Sequence, residues 1–176
     1  MKESISNAFI FGIFITFAFL LLIIFTAAIN YSRANKVKNK ILNHIASYAE
    51  LHTEVTPQGE PLPIDLDTNT ELKETIETEL SEIGYRGNYG GWNANESCNN
   101  YKKTVEGSIN QEEGIENETL LNPNSNYKYC VFSYKTTRGY YYRVVTFMYF
   151  DIPIINTTLE FPISGETRVI YDLGNV

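Results

Sequence analysis

Hydrophobic and polar positions divide this 176-residue chain into three stretches. From Ala8 to Ile29 the chain is apolar on every side, and no charge falls between Glu3 and Arg33. As a helix, the run is roughly 33 Å long, enough to cross the hydrocarbon core of a bilayer. Bulky residues continue from Leu20 to Phe25, where a cleavable signal would already be giving way to small ones, so the run reads as a retained anchor. Cleavage after Thr26-Ala27-Ala28 is the alternative. Ala8, Phe9, Gly12, Thr16, Ala18 and Ile29 are the positions expected to hold the helix in lipid and to pack it against other helices.

The second stretch changes period. Asn30 to His52 contains neither Pro nor Gly, so nothing stops the helix at the membrane surface before Pro57. Val37, Ile41, Ile45 and Tyr48 recur at helical steps and predict an amphipathic stalk packed on one side. The prolines and glycine of Pro57 to Pro63 then predict an extended connector. After it, Leu72, Ile76, Leu80 and Ile83 form the apolar stripe of a second helix, opened by Asp67, Thr68 and Asn69 and stopped by Gly84. Its outer face carries Glu71, Glu74, Glu77, Glu79 and Glu82, read as a solvated acidic face. The spacing of Asp65, Asp67 and Asn69 matches the opening of a calcium loop, but Thr70 and Ile76 stand where that loop needs Gly and Glu. Helix capping is the better account.

The third stretch alternates with period two. Residues 84 to 126 read as irregular, with Tyr85, Tyr89 and Trp92 set among glycines as a ligand- or partner-facing surface loop. Tyr127 to Lys135 and Tyr140 to Phe150 then predict an antiparallel hairpin. Both faces of that hairpin are apolar, so one should pack on the stalk and the other under a loop or partner. Pro153 and Pro162 bracket what reads as an apolar crossover, Ile152 to Ile163, before a third strand at Thr167 to Tyr171. Residues 1–7, 8–29, 30–56, 57–66 and 67–176 are thus expected to be a short cytoplasmic tail, a transmembrane helix, a stalk, a connector and a single α+β head.

Charge and cysteines narrow the function. Residues 1 to 52 carry a net of about +3 and the remainder about −10, within the whole-chain balance of −7. An acidic head lacks the clustered Lys and Arg that phosphate backbones require, so no nucleic-acid partner is expected. Arg33, Lys36, Lys38 and Lys40 outweigh Lys2 and, by the positive-inside rule, favour a cytoplasmic head. Cys98 and Cys130 argue the other way, as an even pair suited to an oxidising compartment, although two buried thiols fit the same count. Three Asn-x-Ser/Thr triplets, at Asn95, Asn117 and Asn156, match the glycosylation pattern in a chain rich enough in Asn to give chance matches.

Catalytic chemistry finds no footing in the pattern. His44 and His52, eight apart on the stalk, are about 80° out of register for a shared metal. There is no zinc signature, no nucleotide loop and no nucleophile beside a base, so neither enzyme activity nor any cofactor or metal is expected.

An uncharged N-terminal helix running through Asn30-Tyr-Ser-Arg33 into an amphipathic stalk, followed by a small acidic head with paired strands, resembles bacterial type IV pilin-like proteins. The layout is most similar to TadE-like pseudopilins of tight-adherence pilus systems. The likeness spans residues 5 to 52 and the ending Tyr141 to Tyr171, with Phe150-Asp-Ile-Pro153 and Gly165-Glu-Thr-Arg168. It implies a head outside the cytoplasmic membrane and an N-terminal helix that assembles with other pilin-like subunits or the pilus machinery. A prepilin cleavage site followed by a Glu inside the apolar run is absent, the early acid being Glu3. A minor or accessory subunit is therefore the expected role. The alternative from a different class is a signal-anchored binding module that reads a peptide or glycan through its Tyr- and Trp-rich surface.

Overall fold

The structure is a computed structural model that describes residues 2–51, 63–85, 87, 97–101, 116–122, 125–136, 139–152 and 157–171. One helix, α1 (Lys2–Leu51), runs 50 residues without a break, about 75 Å. With no Pro or interior Gly past residue 12, nothing interrupts its backbone ladder where the apolar run gives way to the polar stalk. Over its second half Ala34, Val37, Ile41, Ile45 and Ala49 are buried. The stripe ends on Ala49; Tyr48, expected in it, stands at its margin, half-exposed, where its hydroxyl meets the Asn69 side-chain amide.

Helix α2 (Thr70–Glu82) crosses beside the stalk and buries Leu72, Ile76 and Leu80 against it. Asn69 caps it, its side-chain oxygen accepting the Leu72 N–H at 3.0 Å, and Asp65 accepts the Asp67 N–H at 3.0 Å in the preceding turn. These acids and amides thus satisfy backbone donors, as capping requires. At the other end Gly84 takes φ +68°, which lets the Tyr85 N–H turn back to the Leu80 carbonyl at 2.9 Å.

The sheet is antiparallel in the order β1 (Glu116–Leu120), β2 (Tyr129–Thr136), β3 (Gly139–Ile152), β4 (Thr157–Glu166), with β5 (Ile170–Tyr171) pairing the start of β3. The protein is thus of α+β class, a long N-terminal apolar helix with an antiparallel sheet. Two expectations are corrected here. Part of the stretch read as irregular forms β1 and a helical turn at 97–101. The expected Pro-bracketed crossover is strand for most of its length, since β4 pairs with β3 from Ile152↔Thr157 to Arg143↔Glu166. Pro162 is tolerated because it stands opposite Phe147, whose N–H bonds elsewhere, so the missing donor falls on the outer side of an edge strand. There it also blunts pairing with a further strand.

The two faces of the sheet hold separate cores. Tyr129, Val131, Tyr142 and Val144 pack on α1 and α2, while Cys130, Phe132, Val145 and Phe147 face the other way. A disulfide joins Cys130 to Cys98, whose Cα atoms lie 5.7 Å apart, and so fastens the 97–101 turn over the second face. Tyr101 of that turn stacks on Phe132. Strand β4 crosses the stalk so closely at Gly165 that a Cβ there would meet Leu42 Cδ1 and Lys38 Cδ at 2.9 Å. Thr146 Oγ1 donates to the Ala34 carbonyl at 3.0 Å, and Arg168 pairs with Glu50, so the sheet is tied to α1 along the stalk.

Candidate functional site: the bare half of the long helix and the cleft at its base

The two halves of helix α1 are covered differently. Its apolar half is long and apolar enough to cross a membrane, and none of that window is buried by the rest of the protein. Phe9, Phe14, Phe17, Leu22, Phe25 and Ile29 are each more than half exposed. On one side Gly12 and Thr16 leave a shallow groove between Phe9, Ile13, Phe17 and Leu20, with Ala8 one turn earlier along the helix. The Thr16 hydroxyl is satisfied within the helix, donating to the Gly12 carbonyl at 2.9 Å, so it costs little in an apolar surrounding. Ala18 is half-exposed on the same bare segment. Such a groove, floored by small residues, lets a second helix approach closely in lipid.

Immediately past Ile29 a cleft of about 500 Å³ opens between α1, the end of α2 and β3. Asn30, Arg33, Ser81, Tyr85, Tyr127 and Tyr149 are among its lining residues. Asn30 Nδ2 donates to the Tyr149 carbonyl at 2.8 Å, pinning the sheet to the helix at the boundary of the apolar run. Behind it Tyr85 closes the wall. β2 begins at Tyr129, opposite Thr146, so the β3 backbone beyond that point has lost its neighbour on that side. The Tyr85 hydroxyl replaces it, accepting the Phe147 N–H at 2.9 Å and donating to the Lys128 carbonyl at 2.8 Å. Burial pushes the Tyr85 phenol well above its ordinary value, so it remains a neutral donor.

This placement corrects one sequence expectation. Tyr85, expected on a recognition surface, is 6% exposed and belongs to the stalk-side core, because its hydroxyl completes the ladder there. Tyr89 and Trp92, expected beside it, lie outside the described residues. Tyr85→Phe should therefore cost about 1 to 3 kcal/mol, since it strands a buried N–H instead of merely losing a surface contact. Chemical denaturation would read the loss, and hydrogen exchange should show protection falling first at the Phe147 amide.

No protein-family model, curated protein or solved structure matches this chain. Its chemistry must be read from its own side chains. Among the described residues no group of three or more His, Cys, Asp or Glu is placed to hold a metal ion. His44 Nε2 and Lys40 Nζ each lie 3.0 Å from Glu79 Oε2, joining the stalk to α2. Hydrogen bonds from Lys40 and then His44 hold the Glu79 carboxyl below its ordinary value. The acidic face of α2 is therefore used in part for packing: Glu77 likewise accepts from the Asn126 side chain at 3.1 Å. His52 lies outside the described residues.

Sequence reasoning missed Asn30 and Tyr149 as the pin, and Leu159 and Phe161 as exposed apolar side chains beside it. A signal was present. Leu159, Phe161 and Ile163 alternate with Glu160, Pro162 and Ser164, a period of two that marks a strand with one apolar face.

Proposed function

We propose that this protein is a non-enzymatic, single-pass membrane subunit of pilin-like type, a minor or accessory TadE-like pseudopilin that helps assemble a type IV or Tad-like pilus or secretion apparatus. The observation that carries the reading is the division of α1: one uninterrupted helix, bare over its apolar half and packed under the sheet over its polar half. A helix used only as an anchor has no need to continue as the core partner of the head. One that must transmit assembly in the membrane to the head gains a rigid connection from doing so. The groove at Gly12 and Thr16 supplies a contact for a neighbouring helix. The Cys98–Cys130 disulfide supports a head outside the cytoplasm with a cytoplasmic N-terminus, because such bonds persist in oxidising compartments.

Exchange of residues 9–25 for a poly-Leu helix of equal length tests this. The exchanged protein is expected to stay membrane-bound with an intact disulfide, yet to lose cross-linking to partner subunits and its contribution to filaments in the native host. Undiminished assembly would overturn the proposal and favour an anchored binding module. Protease shaving of intact cells or protoplasts should in parallel remove the head and leave a fragment ending near 57–63. A fully protected head would place it in the cytoplasm.

A further inference from the structure

The β3–β4 hairpin projects from the head at the level where the apolar run of α1 ends. The Asn30 side chain holds the Tyr149 carbonyl at 2.8 Å, and Thr146 Oγ1 holds the Ala34 carbonyl at 3.0 Å. Moving along β3 from Thr146 to Tyr149 thus moves from Ala34 to Asn30 on the helix, toward its bare half. β3 continues for three residues past Tyr149, to Ile152, and β4 returns from Thr157. At about 3.3 Å per strand residue against 1.5 Å per helix residue, the described end of the hairpin lies about one helical turn or more below Asn30, alongside the last turns of the apolar run.

The side chains there are one-sided. Phe150 pairs with Leu159 and Met148 with Phe161, and all four share the face of the sheet that carries Thr146 and Gly165 against α1. The helix is too narrow to cover them: Phe161 remains 48% and Leu159 40% exposed. At that height α1 is itself apolar and bare, Ile24 being 62% and Ile29 58% exposed. The opposite face of β4 is polar, and Glu160 pairs there with Lys128 at 2.9 Å.

We propose that this hairpin end is a second membrane contact: Leu159 and Phe161 enter the interfacial layer of the same bilayer that α1 crosses. The inference rests on the reading of α1 as a membrane helix and goes beyond it. The occupant is lipid because the patch lies at the height where the bare apolar run of α1 ends, near Ile29, instead of on the distal part of the head. A strand with one apolar face beside a spanning helix is held in the interface by the same area-dependent effect that buries amphipathic segments. Since the head is packed rigidly on α1, the second point of contact fixes the tilt of the molecule against the bilayer, which a single helix leaves free. The placement is the same whichever side of the membrane bears the head.

The test uses the full chain in phosphatidylcholine vesicles, on a Trp92→Phe background, with a single tryptophan introduced as Phe161→Trp, Leu159→Trp or Leu20→Trp. Both hairpin positions are exposed enough to accept the larger ring. Lipids brominated near the headgroup end of the acyl chain are expected to quench Phe161→Trp and Leu159→Trp by half or more, with little quenching by aqueous iodide. Leu20→Trp should respond to bromine near the bilayer centre. Iodide quenching at both hairpin positions, with Leu20→Trp still quenched by deep bromine, would overturn the hairpin contact while leaving the anchor standing. Protection of the hairpin from both quenchers would assign the patch to a protein partner or a second copy, and also overturn it. Loss of deep quenching at Leu20→Trp would remove the membrane reading itself, and the hairpin contact with it.

Discussion

Replacement of both Cys98 and Cys130 by serine is expected to lower the stability of the head by about 3 to 4 kcal/mol, the largest single effect outside the stalk core. The bond closes a loop with a sequence separation of 32 residues, and in the chain-entropy account a loop of that size contributes on the order of 3.7 kcal/mol by restricting the unfolded chain. Its position adds to this. Both cysteines are fully buried in the second core with Phe132, Val145 and Phe147, and the 97–101 turn that Cys98 anchors lies over that face. Serine would place two hydroxyls in an apolar site, so Cys→Ala at both positions separates the cross-link from that polarity cost. The alanine pair should retain most of the loss. Thermal denaturation of the full chain in detergent, followed by near-UV circular dichroism, should show the midpoint falling by about 10 to 20 °C. Reduction of the wild-type protein should reproduce the alanine result. A change of under about 1 kcal/mol in the alanine pair would mean that the turn is held by packing alone and the bond is incidental.

Elements defined by period were legible in the sequence, and those defined by pairing were not. Val37, Ile41 and Ile45 place the buried face of the stalk because a helix repeats its own face, and the structure buries all three. Leu72, Ile76 and Leu80 do the same for α2, and the Asn69 cap is a local interaction. The hairpin was legible for the same reason, and so were its two faces. By contrast, the β4 segment was hidden by Pro153 and Pro162, which read as breakers until the register shows that Pro162 needs no inward donor. β1 is five residues of ENETL, a composition with little strand preference, ordered by its pairing with β2. The buried Asn122 extends that pairing: its side chain accepts the Val131 N–H and donates to the Tyr129 carbonyl, each at 2.8 Å. The same limit applied to the site. A tyrosine among glycines reads as exposed, and only the early end of β2 explains why Tyr85 is drawn into the core. The Lys40–His44–Glu79 cluster was equally invisible, since the apolar stripe of α2 marks its buried face but not which element that face meets.

Ile41→Ala is expected to destabilise the head by about 2 to 5 kcal/mol, whereas Ile23→Ala on the same helix should leave head stability unchanged within about 0.5 kcal/mol. The substitutions are chemically identical, and only the environment differs. Ile41 is 1% exposed between α2 and the sheet, in a cluster with Val37, Ile45, Ile76 and Val144, so truncation leaves a cavity that rigid neighbours on two sides cannot close. Ile23 is 48% exposed and lies in the apolar window of α1, none of which is buried. A sheet of few strands needs such cover, because one of its faces would otherwise be left apolar in water. Chemical denaturation in detergent should therefore show a shifted midpoint for Ile41→Ala with the wild-type slope, and superimposable curves for Ile23→Ala and wild type. Equal, small effects at both sites would mean that the head folds without the stalk and is only tethered to it, and the mechanical link between the bare half of α1 and the head would be lost. Opposite behaviour, with only Ile41→Ala destabilising, makes the helix one rigid body from its apolar half to Ala49. A rotation or displacement imposed on α1 by a neighbouring helix must then be carried directly into the orientation of the sheet.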